Sequence, residues 1–169
     1  QYINLLHTQN VKPNWNMSLQ YRLVNAPGAF QNQNTNHNNY RFTSWFQSKN
    51  KRYQNFFVIL GNKLMSGENG GIKNDLNYLD SSVYRDNRYI IPTQIGGNNL
   101  QSRNFFTTNI VTGTFNTNAT YLMRQQFDLG QKDPIVVNDT TVIPLFYPRL
   151  RMEHTISYNT YNYRFRDTR

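Results

Sequence analysis

The three histidines are the first place to look for chemistry, and they stand at His7, His37 and His154, too far apart for metal-ligand spacing. His154 follows Glu153 and lies near Arg151. A histidine beside a carboxylate is a possible acid–base pair. On a strand, however, adjacent side chains point to opposite faces, so Glu153 and His154 cannot work together there. The glycine-rich GENGG at 67–71 lacks the Lys-Ser/Thr ending of a phosphate loop and reads as a loop apex. Glu68, Asp75, Asp80 and Asp86 offer oxygen ligands of the kind Ca²⁺ takes, but without EF-hand spacing, so they read as solvated loop. Asn16-Met17-Ser18, Asn118-Ala119-Thr120 and Asn138-Asp139-Thr140 match a glycosylation sequon, as chance allows in a chain with 26 Asn. No catalytic residue, no metal site and no cofactor is expected, and the protein reads as a non-enzyme.

Charge gives the next clue. The formal net charge is +9, and residues 1–67 hold no Asp or Glu. Their seven basic residues are Lys12, Arg22, Arg41, Lys49, Lys51, Arg52 and Lys63. A basic face attracts anionic solutes, lipid phosphates or nucleic acid. The stretch SWFQSKNKRYQNFF interleaves cations with aromatics, as single-strand nucleic-acid surfaces do. Its cations fall at a turn between strands, so a solvated turn is the simpler account and no nucleic acid is expected. Cysteine is absent, which excludes disulfides and thiolate metal sites.

The elements that carry these residues alternate with period two. In NWNMSLQYRL, residues 14–23, Trp15, Met17, Leu19, Tyr21 and Leu23 are apolar and the intervening residues polar. On a strand this gives one oily and one wet face. A strand crosses a bilayer in ~9–11 residues. Strands are expected over 1–10, 14–24, 39–49, 52–65, 115–129 and 143–160. Over 52–65, Phe56, Val58, Leu60 and Leu64 are expected on the apolar side, with Phe57 and Ile59 intruding on the other. Long loops are expected at 25–38 and 66–99, a tight turn at 50–51 and a polar connection over 130–142; residues 100–113 read ambiguously as strand extension or loop.

The mean hydropathy of −0.75 does not argue against a membrane, because alternating faces cancel in the average. No apolar run reaches the length of a spanning helix. The strands are long against a usual mode of about 5–6 residues. Trp15, Tyr21, Tyr40 and Tyr158 lie near strand ends, as in interfacial aromatic girdles. The expected fold is therefore all-β: an antiparallel up-and-down meander of about six strands, a segment of a transmembrane outer-membrane β-barrel. QYINLLHTQN has no signal-peptide character. With too few strands to close a barrel, residues 1–169 are expected to form a single segment of a larger one.

The sequence resembles the "Putative porin" family of Bacteroidetes. The resemblance rests on LLHTQNVKPNWNM (5–17), APGAFQNQNTNHNNY (26–40), QSKNKRY (47–53), ENGGI (68–72), RYIIP (88–92) and YPRLRMEHTISYNTY (147–161). It implies passive solute passage and carries over no catalytic residue. On this reading Arg22, Arg41, Arg124, Arg149 and Arg151 line a pore and give weak anion preference. Trp15, Met17, Leu19, Tyr21, Tyr121, Met123, Phe127, Met152 and Ile156 face lipid. Expected partners are outer-membrane lipid, lipopolysaccharide and small hydrophilic solutes. Two alternatives compete: a non-conducting receptor or adhesin barrel working through its long loops, and a soluble secreted β-sandwich binding glycans through Trp15, Trp45 and tyrosines.

Overall fold

A computed structural model describes residues 1–74, 77–78, 80–96, 110–138 and 141–167. Six strands form one antiparallel sheet in the order of the chain. They are β1 (Tyr2–Lys12), β2 (Trp15–Ala26), β3 (Thr35–Gln47), β4 (Tyr53–Gly67), β5 (Gly113–Asn138) and β6 (Thr141–Arg166). This is the all-β meander that period-two alternation calls for. Between β4 and β5 stand a single helical turn, Ser82–Arg85, and a 3-10 turn, Arg88–Ile90. No helix among the described residues is long and apolar enough to cross a membrane, which leaves strand crossing untouched.

Connections alternate in length. β1–β2, β3–β4 and β5–β6 are joined by short turns, all at one end of the sheet. The β3–β4 turn uses Lys51 at φ 56, with Ser48 and Asn50 side chains closing it. The β2–β3 and β4–β5 connections lie at the other end and pack on each other. The Asn69 side chain donates to the Gln31 carbonyl at 3.1 Å, and Asn32 donates to the Ile95 carbonyl at 3.3 Å. Gly70 and Gly71 take positive φ in a turn closed by the Asn69 side chain, and Ile72 pairs with Thr93.

Strand limits differ from expectation in three places. β2 runs to Ala26 and β3 begins at Thr35, so strand pairing takes in both ends of the 25–38 stretch. Residues 130–142 are not a polar connection: β5 continues to Asn138, and β6 starts at Thr141. There Ile135 pairs with Ile143, both β-branched and suited to a pleated surface, and the backbone of Val136 pairs with that of Val142. Pro134 opposes Pro144, so the two missing N–H donors fall at one rung. β6 also runs past 160 to Arg166, pairing its polar tail with Gly113–Asn118. Of the ambiguous 100–113 segment, residues 100–109 lie outside the described residues, as do Asp75 and Asp139–Thr140.

The sheet has almost no interior. Among the described residues the buried apolar side chains are Leu23, Ile91 and Ile110, and two of these belong to the packed connections. Leu19, Tyr158 and Ile156 are 54%, 63% and 48% exposed. A single sheet with an uncovered oily face needs another apolar medium or layer against it.

Candidate functional site: the two faces of the sheet

Register fixes which residues share a face. The row Leu5–Tyr21–Tyr40–Gly61–Ala119–Thr160 and the row Leu19–Phe42–Ile59–Tyr121–Tyr158 lie on one side. Met17, Phe57, Met123, Phe127, Met152 and Ile156 join them. All nine residues expected to face lipid, from Trp15 to Ile156, therefore share one face. Phe42 and Phe57 meet edge to face, centroids 6.3 Å apart.

Aromatic side chains edge this face at both ends. Near the short turns stand Trp15, Phe46, Tyr53 and Phe127, with Phe46 and Tyr53 rings 6.4 Å apart. Near the long connections stand Tyr21 and Tyr40; Tyr121 and Tyr158, one row nearer the middle of the band, have rings 6.2 Å apart. The Trp15 indole N–H donates to Ser44 Oγ at 3.0 Å, and the Tyr21 hydroxyl donates to Asn38 Oδ1 at 2.7 Å. Such rings put an oily body and a polar tip side by side. From Trp15 to Leu23 the apolar band covers about 27 Å of strand at ~3.4 Å per residue. At the usual barrel tilt that is roughly 20 Å of height, comparable with the ~25 Å apolar band of outer-membrane barrels. On β1 the band is interrupted by His7 and Gln9, opposite Leu19 and Met17.

The opposite face is polar at most positions. Arg22, Arg41, Arg124 and Arg151 share it by register. Arg124 pairs with Glu153 across the strands at 2.7 Å, and Arg151 pairs with Asp128 at 2.8 Å. Arg149 stands apart at a register shift in β6 and donates to Gln131 Oε1 at 2.8 Å. A row of amides crosses three strands: Asn39 donates to Asn62, which donates to Asn118 Oδ1 at 2.7 Å. Sequence reading missed this row. Its signal was one asparagine on each strand at equivalent depth, visible only once the register is known.

β4 reverses its expected orientation. Phe57 and Ile59 lie on the continuous apolar face, opposite Ser44 and Phe42. Phe56, Val58, Leu60 and Leu64 lie on the polar face, opposite Trp45, Thr43, Arg41 and His37. Both faces of β4 are apolar, so alternation within the strand could not choose; its neighbours do. With Trp45 and Leu122, these residues make an apolar island among arginines and amides.

The residues that could do acid–base or metal chemistry are dispersed. His7 and His154 lie on the apolar face and His37 on the polar one. Glu153 is held by Arg124 on the face His154 does not share. Glu68 accepts from Thr114. No group of three metal-ligating side chains occurs among the described residues. The arrangement can present cations and amides to water on one side and an oily band on the other; among the described residues it assembles no nucleophile with a base.

An antiparallel meander with one aromatic-edged oily face and one arginine-bearing face is the architecture of a membrane-spanning β-sheet. The family described as "Putative porin" matches residues 1–169. The chain belongs to that family, which points to a non-enzymatic, channel-like role at the outer membrane. No curated protein and no solved structure matches the chain.

Proposed function

We propose that residues 1–169 are a segment of a closed outer-membrane barrel of Bacteroidetes that lets small hydrophilic solutes diffuse passively, with weak preference for anions. One observation carries this reading: a sheet with scarcely any interior keeps its oily side chains on one face and four arginines on the other. In hydrocarbon the outer edges of β1 and β6 need pairing partners, which closure of a larger barrel supplies. The lipid-facing set is Trp15 through Ile156, and the pore-lining set is Arg22, Arg41, Arg124, Arg149 and Arg151. Arg149, at its register shift, is the weakest member of that set.

Single-channel recordings of the membrane-extracted protein in a salt gradient test the reading. A reversal potential on the anion side is expected; clear cation selectivity overturns it. The receptor reading draws on the interlocked Asn32, Asn69, Thr93 and Ile95, which build the two long connections into one surface. It predicts a protein that embeds in bilayers but never conducts. The soluble sandwich needs a second sheet, and the described residues form one.

A further inference from the structure

Beyond the tyrosines the polarity of β6 inverts. On β6, Tyr161, Tyr163 and Phe165 turn to the arginine face, while Asn162, Arg164 and Arg166 turn to the face of the oily band. On β4, Lys63 occupies the same outward side, opposite Asn38 and Thr117. Lys63 thus stands level with Leu23 at the rim of the apolar band, and Arg164 and Arg166 stand just past it, at the end that carries the long connections. Arg164 and Arg166 both lie against the Phe115 ring, 5.4 and 5.0 Å from its centroid. Arg166 is further fixed by bonds to the Val111 and Ile110 carbonyls at 3.3 and 3.4 Å. These contacts hold the charges in place without neutralising them. The ion pairs among the described residues, Arg124–Glu153 and Arg151–Asp128, involve none of the three. Glu68, at the same end, is engaged by Thr114.

We propose that Lys63, Arg164 and Arg166 bind the phosphate groups of an anionic lipid whose acyl chains lie on the adjoining oily band. The inference rests on the membrane reading above but does not require conduction. In an outer-membrane barrel the long-loop end faces the outside. The lipid of that leaflet is a phosphorylated glycolipid, lipopolysaccharide, and its lipid A portion is the committed occupant. Depth supports a lipid over a soluble anion, because the cations adjoin the oily face and not the wet one. Arginine edges match phosphate oxygens, and a ring-held guanidinium loses little freedom on binding.

The test uses the membrane-extracted protein in detergent, titrated with diphosphoryl lipid A, monophosphoryl lipid A, phosphatidylglycerol and inorganic phosphate, with bound lipid counted by native mass spectrometry. Diphosphoryl lipid A is expected to bind most tightly. Lys63→Gln and Arg164→Gln are each expected to weaken it roughly fivefold, the scale for one cation near an anionic surface. The Arg164 side chain bonds no backbone carbonyl among the described residues, so its variant is the safer one; Arg166→Gln also removes two carbonyl contacts. Lys49→Gln and Lys132→Gln, toward the short-turn end, should leave binding unchanged. Folded Lys63→Gln/Arg164→Gln protein that keeps wild-type lipid A affinity overturns the proposal. So does tighter binding of phosphatidylglycerol, or displacement of lipid A by millimolar inorganic phosphate. A protein that stays in solution without detergent would instead sink the membrane reading itself.

Discussion

The Tyr40 ring covers the backbone of Gly61, its partner on the neighbouring strand. A Cβ at Gly61 would overlap that ring. The pair lets an aromatic lie flat at the edge of the oily band, and it explains a glycine in mid-strand. Gly61→Val should therefore cost stability despite valine's preference for strands. Overpacking of this kind typically costs about 1–3 kcal/mol. The check is the temperature at which the folded, fast-migrating form is lost in detergent electrophoresis. Adding Tyr40→Ala to Gly61→Val should recover part of the loss, because the obstructing ring is gone.

Asn62 joins two bonds of the amide row, accepting from Asn39 and donating to Asn118. All three side chains are half-buried, so water replaces lost partners only in part. Asn62→Leu should destabilise by roughly 1–3 kcal/mol, the cost of leaving polar groups unsatisfied. Replacing all three asparagines by leucine should cost less than the sum of the single changes, since no orphaned amide remains. Urea unfolding midpoints of the four variants decide it; strict additivity would mean the row is not a coupled unit.

The all-β meander was legible because alternation is unbroken from Asn14 to Leu23, across the start of β2, and no apolar run reaches the length of a spanning helix. That the nine residues from Trp15 to Ile156 share one side of the sheet was legible from alternation in β2, β5 and β6. β4 was not, because Phe56-Phe57-Val58-Ile59-Leu60 is apolar on both sides and only pairing with β3 and β5 assigns its faces. The β5–β6 tip, expected as a polar connection over 130–142, was not legible, because the Ile135–Ile143 and Val136–Val142 pairs that carry it are set by strand pairing and not by alternation within one strand. The arginine-bearing face was visible strand by strand, but the lipid-phosphate cluster was not. Arg164 and Arg166 meet Phe115 across about fifty residues of chain, and Lys63 joins them only through β5.

Glu153 is the carboxylate that offsets Arg124 on the polar face. Their side chains are 51% and 41% exposed for Arg124 and Glu153, so solvent screens the pair. Glu153→Gln should change stability by about 1 kcal/mol or less. It should nevertheless raise anion over cation permeability, because one negative charge leaves the pore wall. Reversal potentials in a potassium chloride gradient read the change. A shift toward cations would mean that Glu153 and Arg124 do not face the conducting path.

Leu19 and Ser18 are neighbours on β2 that point to opposite faces, and Leu19 lies midway along the oily band. An arginine introduced at each position separates the two faces directly. On the lipid side of a barrel, arginine at the midplane costs about 2–4 kcal/mol, whereas lumenal substitutions are tolerated. Leu19→Arg should therefore sharply lower the yield of folded protein in lipid vesicles, while Ser18→Arg should fold nearly as the parent does. Met123→Arg should repeat the Leu19 result from β5, where register places it on the same face. Equal folding of Leu19→Arg and Ser18→Arg would mean that neither face meets hydrocarbon. Failure of Ser18→Arg alone would turn the sheet inside out, and the arginines would then lie against lipid with no pore to line.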